Sequence, residues 1–108
     1  MPTIALCINT KNEVENLRAV FNCFESVVSE IVVVDCASTD GTRELARKLG
    51  ARVYDIGECP GYGQMRTITV HLCKTDWAII IDGDERMDAP DVHKIPELTT
   101  RLQDSEFD

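Results

Sequence analysis

Three short and almost wholly apolar runs constrain this chain most: TIALCIN at residues 3–9, IVVV at 31–34 and AIII at 78–81. Each is rich in β-branched residues and lacks the polar alternation of a strand with one wet face, so each reads as a strand buried on both sides. A sheet with two dry faces needs helices on both. The intervening sequence supplies them. Leu17, Val20, Phe21, Phe24 and Val27 or Val28 recur at helical spacing, with Asn12 and Glu15 set to cap the start. Asp40 is placed to cap a second helix running to Leu49, with Leu45, Ala46 and Leu49 inward and Gly50 as its stop. Residues 51–56 read as another strand; after Pro60, Gly61 and Gly63, a third helix carries Met65, Ile68 and Leu72 on one face. The order β-α-β-α-β-α-β predicts an α/β fold: a mostly parallel, Rossmann-like sheet with helices on both faces and right-handed crossovers. No repeat or linker composition divides residues 1–108, which read as one domain. Beyond Met87, Pro90 and Pro96 break a polar stretch into one or two short helices.

Charge narrows the range of ligands. Asp and Glu total 19 against 11 for Lys and Arg, a formal net charge of -8, which repels a polyphosphate backbone and argues against general nucleic-acid binding. A phosphorylated ligand therefore needs local neutralisation, which a divalent cation held by carboxylates provides. The five cysteines are widely spaced, with no C-x-x-C, so neither a zinc site nor a disulfide framework is legible. Cys7, Cys23 and Cys73 fall in apolar stretches as small hydrophobes, a usage that suits a reducing compartment. No apolar run is long enough for a bilayer and no signal-peptide pattern opens the chain, so the expected place is the cytoplasm or the periphery of a membrane.

Polar clusters follow the apolar runs: Thr10-Lys11-Asn12-Glu13, Asp35 through Gly41, and Asp82-Gly83-Asp84-Glu85. In open parallel sheets ligands bind beyond the carboxyl ends of the strands, where the strand order reverses, and a 3-2-1-4 order brings these loops together. Asp82-Gly83-Asp84, directly after a buried strand, offers oxygens suited to Mg²⁺ or Mn²⁺ on a diphosphate; the competing reading is a solvated acidic turn. Asp35 either accepts a hydrogen bond from a base or ribose, or satisfies backbone amides in the turn that follows it. Arg66, in the first turn of the third helix, is a candidate for base or phosphate contact, against a surface salt bridge. Gly61-Tyr62-Gly63-Gln64-Met65-Arg66 departs from a dinucleotide fingerprint, because Arg66 takes the third glycine position and the motif comes late.

Thr10-Lys11-Asn12-Glu13 with Glu15-Asn16-Leu17, the IVVV run into Asp35 with Ser38-Thr39-Asp40-Gly41-Thr42, Pro60-Gly61-Tyr62-Gly63 with Gln64 and Arg66, Thr75-Asp76-Trp77, and Asp82-Gly83-Asp84-Glu85-Arg86 stand in series. Together they resemble family 2 glycosyltransferases, in particular the bacterial branch that elongates lipopolysaccharide cores. The resemblance implies the nucleotide-sugar-binding half of a GT-A-type fold. It implies that Thr10 and Asn12 line a nucleotide pocket, Asp35 contacts the base, Arg66 supports it, Asp82 lies near the ribose, and Asp84 binds Mn²⁺ or Mg²⁺. The donor would be a nucleotide-diphosphate sugar and the acceptor a glycan, a lipid-linked saccharide or a protein. Cys36 stands where the family usually has Ser or Asp, and Gln64-Met65-Arg66-Thr67 shifts the family's Gln-Arg-Asn. Family members continue past D-x-D into an acceptor half that normally supplies the general base of inverting transfer. On that resemblance a second copy or a partner chain would complete the site, or the domain would bind donor without transferring it. Apolar strand plus D-x-D also opens haloacid-dehalogenase-type phosphatases, but those carry it on their first strand.

Overall fold

The computed structural model describes residues 3–83 and 94–96, with the side chains of Tyr62, Arg66 and Val70 outside that description. The elements are β1 (Ile4–Thr10), α1 (Val14–Phe24), β2 (Glu30–Asp35), α2 (Thr42–Lys48), β3 (Arg52–Asp55), α3 (Tyr62–Leu72) and β4 (Trp77–Asp82). All four strands are parallel in the order β3-β2-β1-β4, the predicted topology. The chain winds one way through α1 and α2 to β3, then crosses back to place β4 on the other side of β1. The strand order thus reverses between β1 and β4.

Alternating side chains of the central strands feed two cores, because successive residues of a strand point to opposite faces. Leu6, Ile8, Val33 and Ile81 meet Leu17, Val20, Phe21 and Phe24 of α1 and Ala46 of α2 on one face. Ala5, Cys7, Val32 and Val34 meet Met65 of α3 on the other, with Tyr54, Leu72 and Cys73 at the margin. Helices therefore cover both faces, as the dry strands require. The inward face of α3 differs from the sequence expectation: Met65 and Thr69 are buried, while Ile68 lies with Pro60, Gly63, Gln64 and Thr67 in a shallow outer groove. Thr69 tolerates burial because its hydroxyl donates to the Met65 carbonyl at 2.7 Å, a bond invisible to apolar periodicity. The carboxyl end of α3 is fastened by Arg52, which donates to the Leu72 carbonyl at 2.9 Å and pairs with Glu30 at 3.1 Å.

Beyond Met87, the short helices expected from sequence fall mostly outside the described residues; residues 94–96 form a helical turn that sets Ile95 against the α1-side core.

β4 runs into Gly83, whose N–H continues the ladder by donating to the Asn9 carbonyl at 3.0 Å. A Cβ on Gly83 would stand 2.5 Å from Glu13 Cγ and 2.9 Å from Glu13 Cβ, atoms too near the backbone to swing away freely. The glycine of the D-G-D segment therefore lets the end of β4 and the start of α1 approach. Gly83→Ala is expected to destabilise the fold by about 1–3 kcal/mol through overpacking, measured by urea unfolding; an unchanged midpoint would mean that Glu13 yields without cost.

Candidate functional site

The site begins with a carboxylate that the fold has enclosed. Asp35, the last residue of β2, is 0% exposed. Thr10 Oγ1 donates to its Oδ1 at 2.5 Å, Ser38 Oγ to Oδ1 at 2.6 Å, and the Ser38 amide to Oδ2 at 2.9 Å. Arg43 of α2 completes the set with a 2.9 Å ion pair to Oδ2, and also reaches Asp55 at 3.3 Å. Burial alone would push this carboxyl up, but the bonds from Ser38, Thr10 and Arg43 outweigh it and hold it below its ordinary range. The charge is thus retained, fully paired, inside the protein.

From this node the loops after β1 and β2 are stitched together. The Asn12 amide donates to Ser38 Oγ at 2.8 Å, and the Thr39 amide donates to Asn12 Oδ1 at 2.8 Å. The amides that open α1 are met from the same loop: Glu13 N–H by Thr42 Oγ1 at 3.0 Å, and Val14 N–H by Asp40 Oδ2 at 3.2 Å. The Thr42 hydroxyl in turn donates to Asp40. This corrects two expectations. Asn12 does not cap α1, whose N-cap position is Glu13; nor is Asp40 the N-cap of α2, a position held by Gly41. Asp40 acts one residue earlier, accepting from the Thr42 amide at 3.1 Å. Asn12 and Ala37 adopt left-handed backbone, with φ of 55° and 51°, conformations that non-glycine residues hold only where the surroundings enforce them. Here the enforcement is the Ser38 and Thr39 bonding on either side.

Above these loops, at the carboxyl ends of β1 and β4, lies a cleft of about 580 Å³. Thr10 and Lys11, Glu13, Cys36, Cys59 and Asp82 are among its lining. Of the residues singled out from sequence, Thr10 and Asp82 face this space directly. Asp35 does not line it; Cys36, the next residue, does. Asn12 is exposed and engaged with Thr39. Arg66 lies in α3 with its side chain outside the description, and Asp84 and Glu85 lie outside the described residues. Lys11 and the two lining cysteines were missed as site residues. Lys11 is the only cation among the described lining residues, beside Glu13, Glu58 and Asp82. Among the described residues, no three Asp, Glu, His or Cys side chains converge as a metal cluster.

A family model for glycosyl transferase family 2 matches residues 5–107, and the chain belongs to that family. An uncharacterized glycosyltransferase of Rickettsia felis is 37% identical over 104 residues, 96% of this chain and 32% of its own. The lipopolysaccharide core biosynthesis glycosyltransferase LpsC of Rhizobium meliloti is 34% identical over 82 residues, covering 70% of this chain and 30% of its own length. The chain thus spans about a third of the length of the curated relatives it matches. Among solved structures, glucosyl-3-phosphoglycerate synthase from Mycobacterium tuberculosis in complex with uridine diphosphate superposes with a TM-score of 0.73 at 26% identity, over 97% of this chain and 41% of that one. S. aureus TarS 1-349 gives 0.76 at 17% identity, over 94% and 33%, which speaks for the fold alone. The architecture is the Rossmann-like GT-A arrangement. No described helix is long and apolar enough to cross a membrane.

Asp35 holds two loops and a helix through one charge, so replacing it tests the frame of the site. Asp35→Asn keeps the shape but removes the charge, and is expected to cost about 1.5–3 kcal/mol in chemical denaturation at neutral pH. The stabilisation from its lowered carboxyl is complete above the unfolded value of 3.8 and is lost as pH falls through the lower folded value. The gap between native chain and variant should therefore narrow in strong acid. A gap independent of pH down to full acid unfolding would show that packing, not charge, is responsible.

Proposed function

We propose that the cleft binds a nucleoside-diphosphate sugar and that the domain serves transfer of the sugar to an acceptor. The observation that carries this reading is the position of the cleft, at the carboxyl ends of β1 and β4 where the strand order reverses, with Asp82 and Lys11 in its lining. The mycobacterial synthase complexed with uridine diphosphate supports a nucleotide in the same fold.

In this proposal Thr10 contributes to the nucleotide pocket while its hydroxyl stays tied to Asp35, and Asn12 keeps the neighbouring loop in register. Asp35 serves the base-binding end by fixing Thr10 and Ser38, Cys36 presents its side chain to the cleft, and Arg66 supports the base from α3. Asp82 takes the ribose side. Lys11 offsets part of the diphosphate charge, and the remainder calls for a cation because Glu13, Glu58 and Asp82 make the lining acidic. The donor set suits a hard divalent ion: the carboxylates of Asp82 and Glu13 both line the cleft, with Asp84, two residues after Asp82, as the proposed ligand. Bound there, Mn²⁺ or Mg²⁺ would neutralise charge developing on the departing diphosphate. The acceptor, and the base that takes its hydroxyl proton, belong with residues beyond those described, from a longer chain, a second copy or a partner.

Calorimetric titration of UDP and GDP, with and without Mn²⁺, tests the reading. One of the two nucleotides is expected to bind in a metal-dependent manner, and Asp84→Ala to weaken that binding on the order of tenfold or more. Folded protein that binds neither nucleotide under any metal condition would overturn the proposal. Consumption of donor sugar in the presence of acceptor then separates transfer from binding alone.

A further inference from the structure

Two thiols meet at the cleft, and donor binding as proposed needs neither to react. Cys36 follows β2 and is only 4% exposed, whereas Cys59 is exposed in the loop between β3 and α3. Both line the same cleft, although 23 positions separate them in sequence. Cys36 Sγ donates to Met65 Sδ at 3.9 Å, and the Cys59 thiol is near enough to act on that of Cys36. The loop carrying Cys59 is bracketed by Gly57 and Gly61, with φ of 71° and 116°, in the backbone region that favours glycine. Burial first, then the neighbouring Cys59 thiol, pushes the Cys36 thiol up to about 11, which keeps it protonated at neutral pH. The entry point for chemistry is therefore the exposed Cys59, with Cys36 behind it as the resolving thiol. Cys7 and Cys73 also interact, but Cys7 is wholly buried and offers no such entry.

We propose that Cys36 and Cys59 form a dithiol site that reacts with small disulfides, and that the resulting cross-link straps the β3–α3 loop across the donor cleft. The Cys59 thiolate attacks one sulfur of the small disulfide; that S–S bond breaks, and one thiol leaves after taking up a proton. Cys36 then loses its proton as its sulfur attacks Cys59, releasing the second small thiol and closing the protein disulfide. Two protein thiols are oxidised and one small disulfide is reduced to two thiols, so atoms and electrons balance. The effect on donor binding rests on the function proposed above; the cross-link itself does not.

The test uses the full chain with oxidised glutathione, followed by non-reducing peptide mapping by mass spectrometry. The expected product is a Cys36–Cys59 disulfide. Cys36→Ser should stop at a glutathione adduct on Cys59, and Cys59→Ser should leave Cys36 unmodified. A stable adduct on Cys59 of the native chain, or a cross-link joining a different pair, overturns the dithiol site. In the cross-linked protein, affinity for whichever of UDP and GDP the reduced chain binds should fall about tenfold or more and return with dithiothreitol; affinity unchanged by the cross-link overturns the strap. If the reduced protein binds neither UDP nor GDP, the donor reading fails, while the peptide map still decides the dithiol site.

Discussion

The enclosed charge of Asp35 organises everything above the carboxyl ends of β1 and β2. A carboxylate with no solvent contact persists only when its oxygens are met by donors, and here the donors come from β1, from the following loop and from α2. Through them a single side chain fixes the end of one strand, the path of the next loop and the place of a helix. The left-handed backbone at Asn12 and Ala37 is held in place by this same bonding. The loops beneath the cleft are thus tied together through one buried ion.

Electrostatics divide the site into a paired interior and an acidic rim. Inside, Asp35 and Arg43 balance each other, so the interior adds little net field. At the rim, Lys11 faces Glu13, Glu58 and Asp82, in a chain with a formal net charge of -8. A diphosphate entering such a lining meets repulsion unless a cation accompanies it. In the proposed donor complex, this lining calls for cation-assisted binding, in line with the hard-oxygen character of its carboxylates.

Cysteine usage follows the fold rather than the chain. Cys7 fills space between sheet and α3, as a small hydrophobe does, and Cys23 sits half-buried in α1. Cys36 and Cys59 have the same covalent chemistry but stand in a cleft, one shielded and one open to solvent. Their environments, and not their spacing, separate the two roles.

The apolar runs at β1, β2 and β4 and the helical spacing of Leu17, Val20, Phe21 and Phe24 determined the α/β class, the element order and the parallel sheet, because burial on two faces leaves no other way to cover such strands. The loops after the strands were legible as one edge of the sheet, and the cleft lies there. Tertiary structure decided what each polar residue there does. Asp35 looked like a ligand contact or a turn residue, and its enclosure is completed by Thr10 and Arg43, which no local pattern links to it. The caps of α1 were misread because Thr42 and Asp40, far along the chain, meet amides that sequence reasoning assigned to Asn12. Thr69 escaped notice as a core residue because a hydrogen bond within its own helix, not hydrophobicity, permits its burial. Periodicity reports which faces leave water, whereas hydrogen-bond partners and neighbouring charges are set by distances in space that only the folded chain brings about.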